Sequence, residues 1–164
     1  GRGTRLRPRD GAAGAVVTGI LEGSRPLFLE LQALVTKTPF QFPVRRSSGF
    51  DLGRLQMLLA ILSKRAGLNF SGDDVIVNVA GGIAVRDRSA DLAAVLAITS
   101  SKKDLVLSNE LAAIGEIGLA GEIRSVPGEE RRVKEAEKLG FKNIIAPSRG
   151  TKTLKEALTK TALL

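Results

Sequence analysis

Three pairs of cations could do chemistry by their type and spacing: Arg45 with Arg46, Arg86 with Arg88, and Lys102 with Lys103. Each is a doublet or near-doublet at a loop or at the end of an element, not along a salt-bridged helix face. That placement suits contact with phosphate groups, which fixes a polymer in place without reading its bases. The whole chain leans the same way, because 25 Lys and Arg against 17 Asp and Glu give a formal charge of +8 and a pI near 10.3. Such a balance favours a polyanionic partner such as nucleic acid. Aromatic residues are only 4% of the chain, so base stacking is not the expected grip. The competing reading of the charge is solubility alone, and Lys102 and Lys103 would also complement the dipole of a helix C-terminus without any ligand.

Two missing residue types narrow the chemistry further. With no cysteine, disulfides, thiolate metal sites and cysteine nucleophiles are excluded, in keeping with a reducing cytosol. With no histidine, the usual general base, the commonest metal ligand and the Ser-His-Asp arrangement go too, leaving lysine, carboxylate or backbone chemistry. No segment approaches the roughly 20 apolar residues that cross a bilayer, and the start lacks a secretory apolar core. A soluble, cytoplasmic protein without a membrane partner is expected.

The elements that must position these residues follow from periodicity. Residues 1–13 are Gly/Arg-rich with almost no apolar content and are expected to be a flexible lead-in, a linker or a cloning scar. One domain is expected over residues 14–164. Its first part, AVVTGIL and PLFLELQALV around a Gly-containing turn, reads as a β-hairpin. Residues 36–50 hold two prolines and Arg45-Arg46 and are expected to be an extended surface connection or a strand with a basic face. Asp51 is the expected N-cap of a helix carrying Leu52, Leu55, Leu58, Leu59 and Leu62, which ends at Gly67 and leaves Arg54, Lys64 and Arg65 on a solvated face.

VIVNVAGG (75–82) reads as a strand buried on both faces. Ser89 is the expected cap of a helix whose buried face is Leu92, Val95, Leu96 and Thr99. AAIGEIGLAGEIR (112–124) reads as two strands around a bend near Gly118 to Gly121, followed by a charged helix from Glu129 to Leu139, a strand at 143–148 and a final helix capped by Thr153. The sum is a mixed α/β (α+β) arrangement, with helices interleaved among strands and hairpins.

VNVAGG, SADLA and GEIGLAGEIRSVP, followed by RRVKEAEKLGFKNIIAP, resemble the C-terminal Lon-protease-like domain of the RadA/Sms family of bacterial DNA repair proteins. The resemblance covers nearly all of residues 14–147. It implies the Lon-like fold of the ribosomal-protein-domain-like superfamily, with a mixed sheet. It also implies a place in a hexameric ring that repairs damaged DNA by driving branch migration of recombination intermediates, alongside the RecA recombinase. In that family ATP, magnesium and zinc belong to upstream domains. This chain has neither a GxxxxGK[ST] loop nor a cysteine, so no cofactor is expected in it.

Lon proteases use a serine activated by a lysine. By the resemblance the nucleophile falls on Ser89, the lysine position falls on Glu130, and Asp91 stands where a small glycine is usual. A glutamate flanked by Arg131 and Arg132 stays ionised, and a carboxylate at 91 would repel a developing oxyanion. The resemblance therefore implies a non-proteolytic domain with no catalytic residue, and the doublet spacing makes Arg45, Arg46, Arg86, Arg88, Lys102 and Lys103 the expected phosphate contacts to single-stranded or branched DNA. The alternatives are a structural ring-former using Phe40, Phe42 and Phe50, and an active Ser-Lys peptidase, for which Lys134 is a further candidate base.

Overall fold

Apolar alternation in the first two runs produces the hairpin on which the sheet is built. Strands β1 (Ala15–Glu22) and β2 (Arg25–Lys37) pair antiparallel, from Ala15 opposite Gln32 to Glu22 opposite Arg25. The computed structural model describes residues 12–164, so the expected lead-in lies outside the described residues except for Ala12 and Ala13. Gly14 is already anchored: its N–H donates to Ser100 Oγ at 2.9 Å and its carbonyl accepts from Ala33.

Four more strands extend the hairpin into one sheet. They are β3 (Arg45–Ser48), β4 (Asp73–Val79), β5 (Leu111–Ala113) and β8 (Asn143–Ile145), in the order β3-β4-β2-β1-β5-β8. Only β2 runs against its neighbours; the β3–β4, β1–β5 and β5–β8 pairs are parallel. Strands β6 (Glu116–Ile117) and β7 (Ile123–Arg124) form a separate small hairpin around the expected bend. The structure is thus of the mixed α/β class, with a mostly parallel sheet. The first of the two strands expected around that bend is divided: Leu111–Ala113 joins the main sheet as β5, and Glu116–Ile117 turns away to pair with β7.

Helices α1 (Leu52–Ala66), α2 (Asp91–Lys103) and α4 (Leu154–Lys160) cover one face, and α3 (Glu129–Lys138) covers part of the other. The caps on α1 and α4 are as expected. Asp51 accepts from Arg54 N–H at 2.8 Å, Gly67 closes α1 at φ 70°, and Thr153 Oγ1 accepts from Glu156 N–H at 3.1 Å.

Two burial patterns differ from expectation. Helix α2 has no solvated face over Leu92 to Ser100, because it is packed between the sheet and α1 with α4, and its small residues let it approach both. Strand β4, in contrast, is buried on one face only. Val75, Val77 and Val79 enter the core while Ile76 stays 37% exposed, since α3 sits over the β1, β2 and β5 side of the sheet and leaves the β3–β4 side open.

Candidate functional site

The segment Val85 to Ser89 alternates in exposure: Val85 is buried, Arg86 exposed, Asp87 half-buried, Arg88 exposed and Ser89 buried. It runs extended through Asp87, and Val85 N–H donates to the Gly49 carbonyl at 2.7 Å. Gly49 is required there, because it sits at φ 77° and a Cβ would lie 2.5 Å from the Ile83 carbonyl oxygen. An extended backbone points successive side chains to opposite sides. Arg86 and Arg88 therefore fan outward together, and Asp87 and Ser89 turn toward the body of the domain.

Ser89 does not cap α2, contrary to expectation. It lies in a single 3-10 turn (Arg88–Ala90) whose cap is Asp87, which accepts from Ser89 N–H at 3.0 Å, and α2 begins at Asp91 with no side-chain cap. The fully buried Ser89 hydroxyl instead accepts from the guanidinium of Arg132 on α3. Arg132 is 2% exposed and reaches further partners: the Asp87 carboxylate at 2.8 Å, the Gly19 carbonyl at 3.1 Å and the Pro127 carbonyl at 2.8 Å. Its Nε has no partner among the described residues. Burial pulls the Asp87 carboxyl upward, but the Ser89 hydrogen bonds and the Arg132 charge outweigh it, so the group titrates below its ordinary value.

Glu130, the residue aligned with a catalytic lysine, does not face Ser89. It is exposed and contacts Arg149 at 3.3 Å. Lys134 is also exposed, grouped with Glu130, Arg131, Glu135 and Lys138 on the outer side of α3. The cation that meets Ser89 is an arginine, which does not release its proton and cannot act as a general base. Arg132 was legible in one respect, since it stands four residues before Ala136 and one before Val133, on the buried stripe of α3.

Asp91 is not open to a reacting group either. Its carboxylate takes both prongs of the Arg54 guanidinium, with Nε at 2.9 Å, and accepts from Ile117 N–H at 3.0 Å. Arg54, expected on a solvated face, is instead drawn in by this pair and also donates to the Ile117 carbonyl at 2.9 Å. Burial pushes the Asp91 carboxyl up, while the Arg54 fork and the Ile117 N–H pull against it; the same contact raises Arg54.

The six expected phosphate contacts divide between the two ends of α2, about 20 Å apart by its length. Two of them are committed internally. Arg45 donates to the carbonyls of Asp73 and, at 2.8 Å, of Phe70. Lys102 bonds Asp73 at 2.6 Å and lies 5.1 Å from the centre of the Phe70 ring. Arg46, Arg86, Arg88 and Lys103 are exposed, and Arg88 has only a 3.5 Å contact to Glu116. Beside Arg86 and Arg88, a cleft of about 540 Å³ opens between the N-terminus of α1 and the 84–88 segment. Of the three phenylalanines assigned to an interface, Phe40 and Phe42 are 66% and 76% exposed, but Phe50 is buried in the core.

The described residues hold no group of three or more acidic side chains that could bind a metal, and none of their helices is long and apolar enough to cross a membrane. A family model described as subunit ChlI of Mg-chelatase matches residues 54–150. The chain is also similar to curated proteins named DNA repair protein RadA. It is 47% identical to that of Chlamydia muridarum over 135 residues, 82% of this chain and 30% of the relative. It is 44% identical to that of Bacillus subtilis over 138 residues (84% and 30%), and 46% to that of Escherichia coli K12 over 136 residues (83% and 30%). The chain thus spans less than a third of the length of these relatives.

Proposed function

The chain belongs to the family whose model is described as subunit ChlI of Mg-chelatase, and we propose that it serves as a non-proteolytic, Lon-like DNA-contacting domain of a RadA-type repair protein. The similarity to proteins named for DNA repair supports the setting. The observation that carries the reading is the Arg132 fork on Ser89 and Asp87. It places a permanently protonated group where activation of the hydroxyl would need a base. On the same segment it leaves Arg86 and Arg88 pointing at solvent.

In this reading the domain supports a hexameric ring during branch migration of recombination intermediates. It touches DNA phosphates through exposed cations, and leaves ATP, magnesium and zinc to other parts of the protein. The test is a fluorescence-anisotropy titration of labelled DNA over a range of salt, paired with a casein-degradation assay. Salt-dependent DNA binding without casein cleavage is expected. Binding that stays undetectable at low salt would remove DNA from the reading, and cleavage lost in Ser89→Ala would remove the non-proteolytic part.

Phe40 and Phe42 favour a second reading, a ring-former without DNA contact, because two large apolar side chains are exposed two positions apart on one loop. Oligomers that dissociate in Phe40→Ser/Phe42→Ser, from a protein that binds no DNA, would favour it.

A further inference from the structure

Strand β3 is one of the two edges of the main sheet, and its parallel ladder decides which of its backbone groups are used. Val75 N–H donates to the Val44 carbonyl at 2.9 Å, and in a parallel pair alternate residues bond the neighbouring strand. Val44, Arg46 and Ser48 therefore turn their backbone groups to β4, while Arg45 and Ser47 turn theirs outward. No described residue pairs with that outer side. A row of unpaired N–H and C=O groups is a template for another strand.

The two faces flanking this edge differ in chemistry. On the helix side a groove of about 380 Å³ lies between α1 and residues 69–71, lined by Gln56, Leu59, Ala60, Ser63 and Phe70. Arg45 is the only charged residue lining it, and its guanidinium is already bonded to the Asp73 and Phe70 carbonyls. On the open face Arg46 is exposed and has no ion pair among the described residues. It stands beside Ile76, which stands beside Leu34, and these two are 37% and 54% exposed. The edge thus offers an uncharged seat on one face, and on the other a free cation at the end of an apolar row.

We infer that β3 is the acceptor edge for an extended acidic segment of a partner protein, which adds to the sheet about 4.8 Å beyond β3. Its acidic side chains lie beside Arg46 on the open face, and its alternate, uncharged side chains lie over the α1 groove. Main-chain bonds to Arg45 and Ser47 supply the grip, and the alternating side chains supply the selectivity. A second copy of this chain fits poorly, because pairing β3 with β3 sets like charges on neighbouring strands. An acidic segment gains a cross-strand pair with Arg46 and is drawn to a chain of formal charge +8. The inference goes beyond the DNA-contacting reading and does not depend on it.

The experiment titrates the full chain into a short labelled peptide of alternating Glu and Val, followed by fluorescence anisotropy. Binding is expected for this peptide but not for one of alternating Lys and Val. The Glu-Val peptide with every amide N-methylated keeps its charge, cannot complete a ladder, and should not bind. Ser47→Pro removes an outward N–H that the β3–β4 ladder does not use. It should weaken binding roughly fivefold to tenfold, the worth of one backbone hydrogen bond, with urea unfolding showing that the sheet is intact. Arg46→Glu should transfer the preference to the Lys-Val peptide. A Glu-Val peptide that binds no better than the Lys-Val peptide would overturn the inference, and so would equal binding of the N-methylated peptide or an affinity unchanged in Ser47→Pro. Dimers of the free chain that Ser47→Pro dissolves would assign the edge to a second copy and overturn it as well.

Discussion

The two ends of α2 solve the same electrostatic problem with different cations. At the N-terminal end, the half-buried Arg54 and the buried Arg132 serve several acceptors each, including backbone carbonyls of Gly19, Ile117 and Pro127. At the C-terminal end, Lys102 serves Asp73 in a partly exposed pair, with side-chain exposures of 24% and 11%, while Arg45 ties down the neighbouring loop carbonyls. A planar fork can satisfy several acceptors inside a protein, whereas an ammonium is a compact, well-hydrated point charge suited to a partly wet site. Outward cations remain at both ends, Arg86 and Arg88 at the first and Arg46 and Lys103 at the second, but only at the C-terminal end are members of the basic doublets, Arg45 and Lys102, consumed in holding the fold.

This contrast sets an order of consequences. Arg132→Ala should be the most damaging, since it strips the buried Ser89 hydroxyl and Gly19 carbonyl of their donor and leaves the half-buried Asp87 without its countercharge; a loss of about 3–5 kcal/mol in urea unfolding is expected. A loss below about 1 kcal/mol would mean that the cluster is not a structural hub. Lys102→Ala should cost about 1 kcal/mol or less, because its pair is partly screened by water, and a loss matching that of Arg132→Ala would erase the distinction between the ends. The smallest effect is on acid stability. The Asp87 carboxyl is depressed in the folded state, so its contribution is present above the unfolded value of about 3.9 and is lost as pH falls through the lower folded value. Asp87→Asn should therefore be less stable than the parent at neutral pH and converge with it in acid. A stability difference that does not change with pH would contradict that titration.

Much of the architecture could be read from the chain, because caps and periodicity act locally. Asp51, Gly67 and Thr153 end or begin helices by bonds spanning no more than a turn, and the β1–β2 register follows from a two-residue alternation. What could not be read depended on distant partners. Whether Arg54 is solvated is decided by Asp91, 37 positions away, and the fate of Ser89 by Arg132, 43 positions away. The all-round burial of α2 likewise depends on helices that arrive from both earlier and later in the chain. The basic doublets Arg45-Arg46 and Lys102-Lys103 each split into one inward and one outward residue, because neighbours in sequence point differently in a strand or at a helix end. Doublet spacing alone could not assign which member stays free.

Helix α2 has sheet on one side and helices on the other, so no partial opening can wet its backbone without separating both layers. Its amides between Leu92 and Ser100 should accordingly exchange with deuterated solvent only through global unfolding, while those of the β6–β7 hairpin and of α4 exchange through smaller openings. The exchange rate of this one helix then reports the stability of the entire domain, and a ligand held at the loop preceding it would be detected there as slowed exchange.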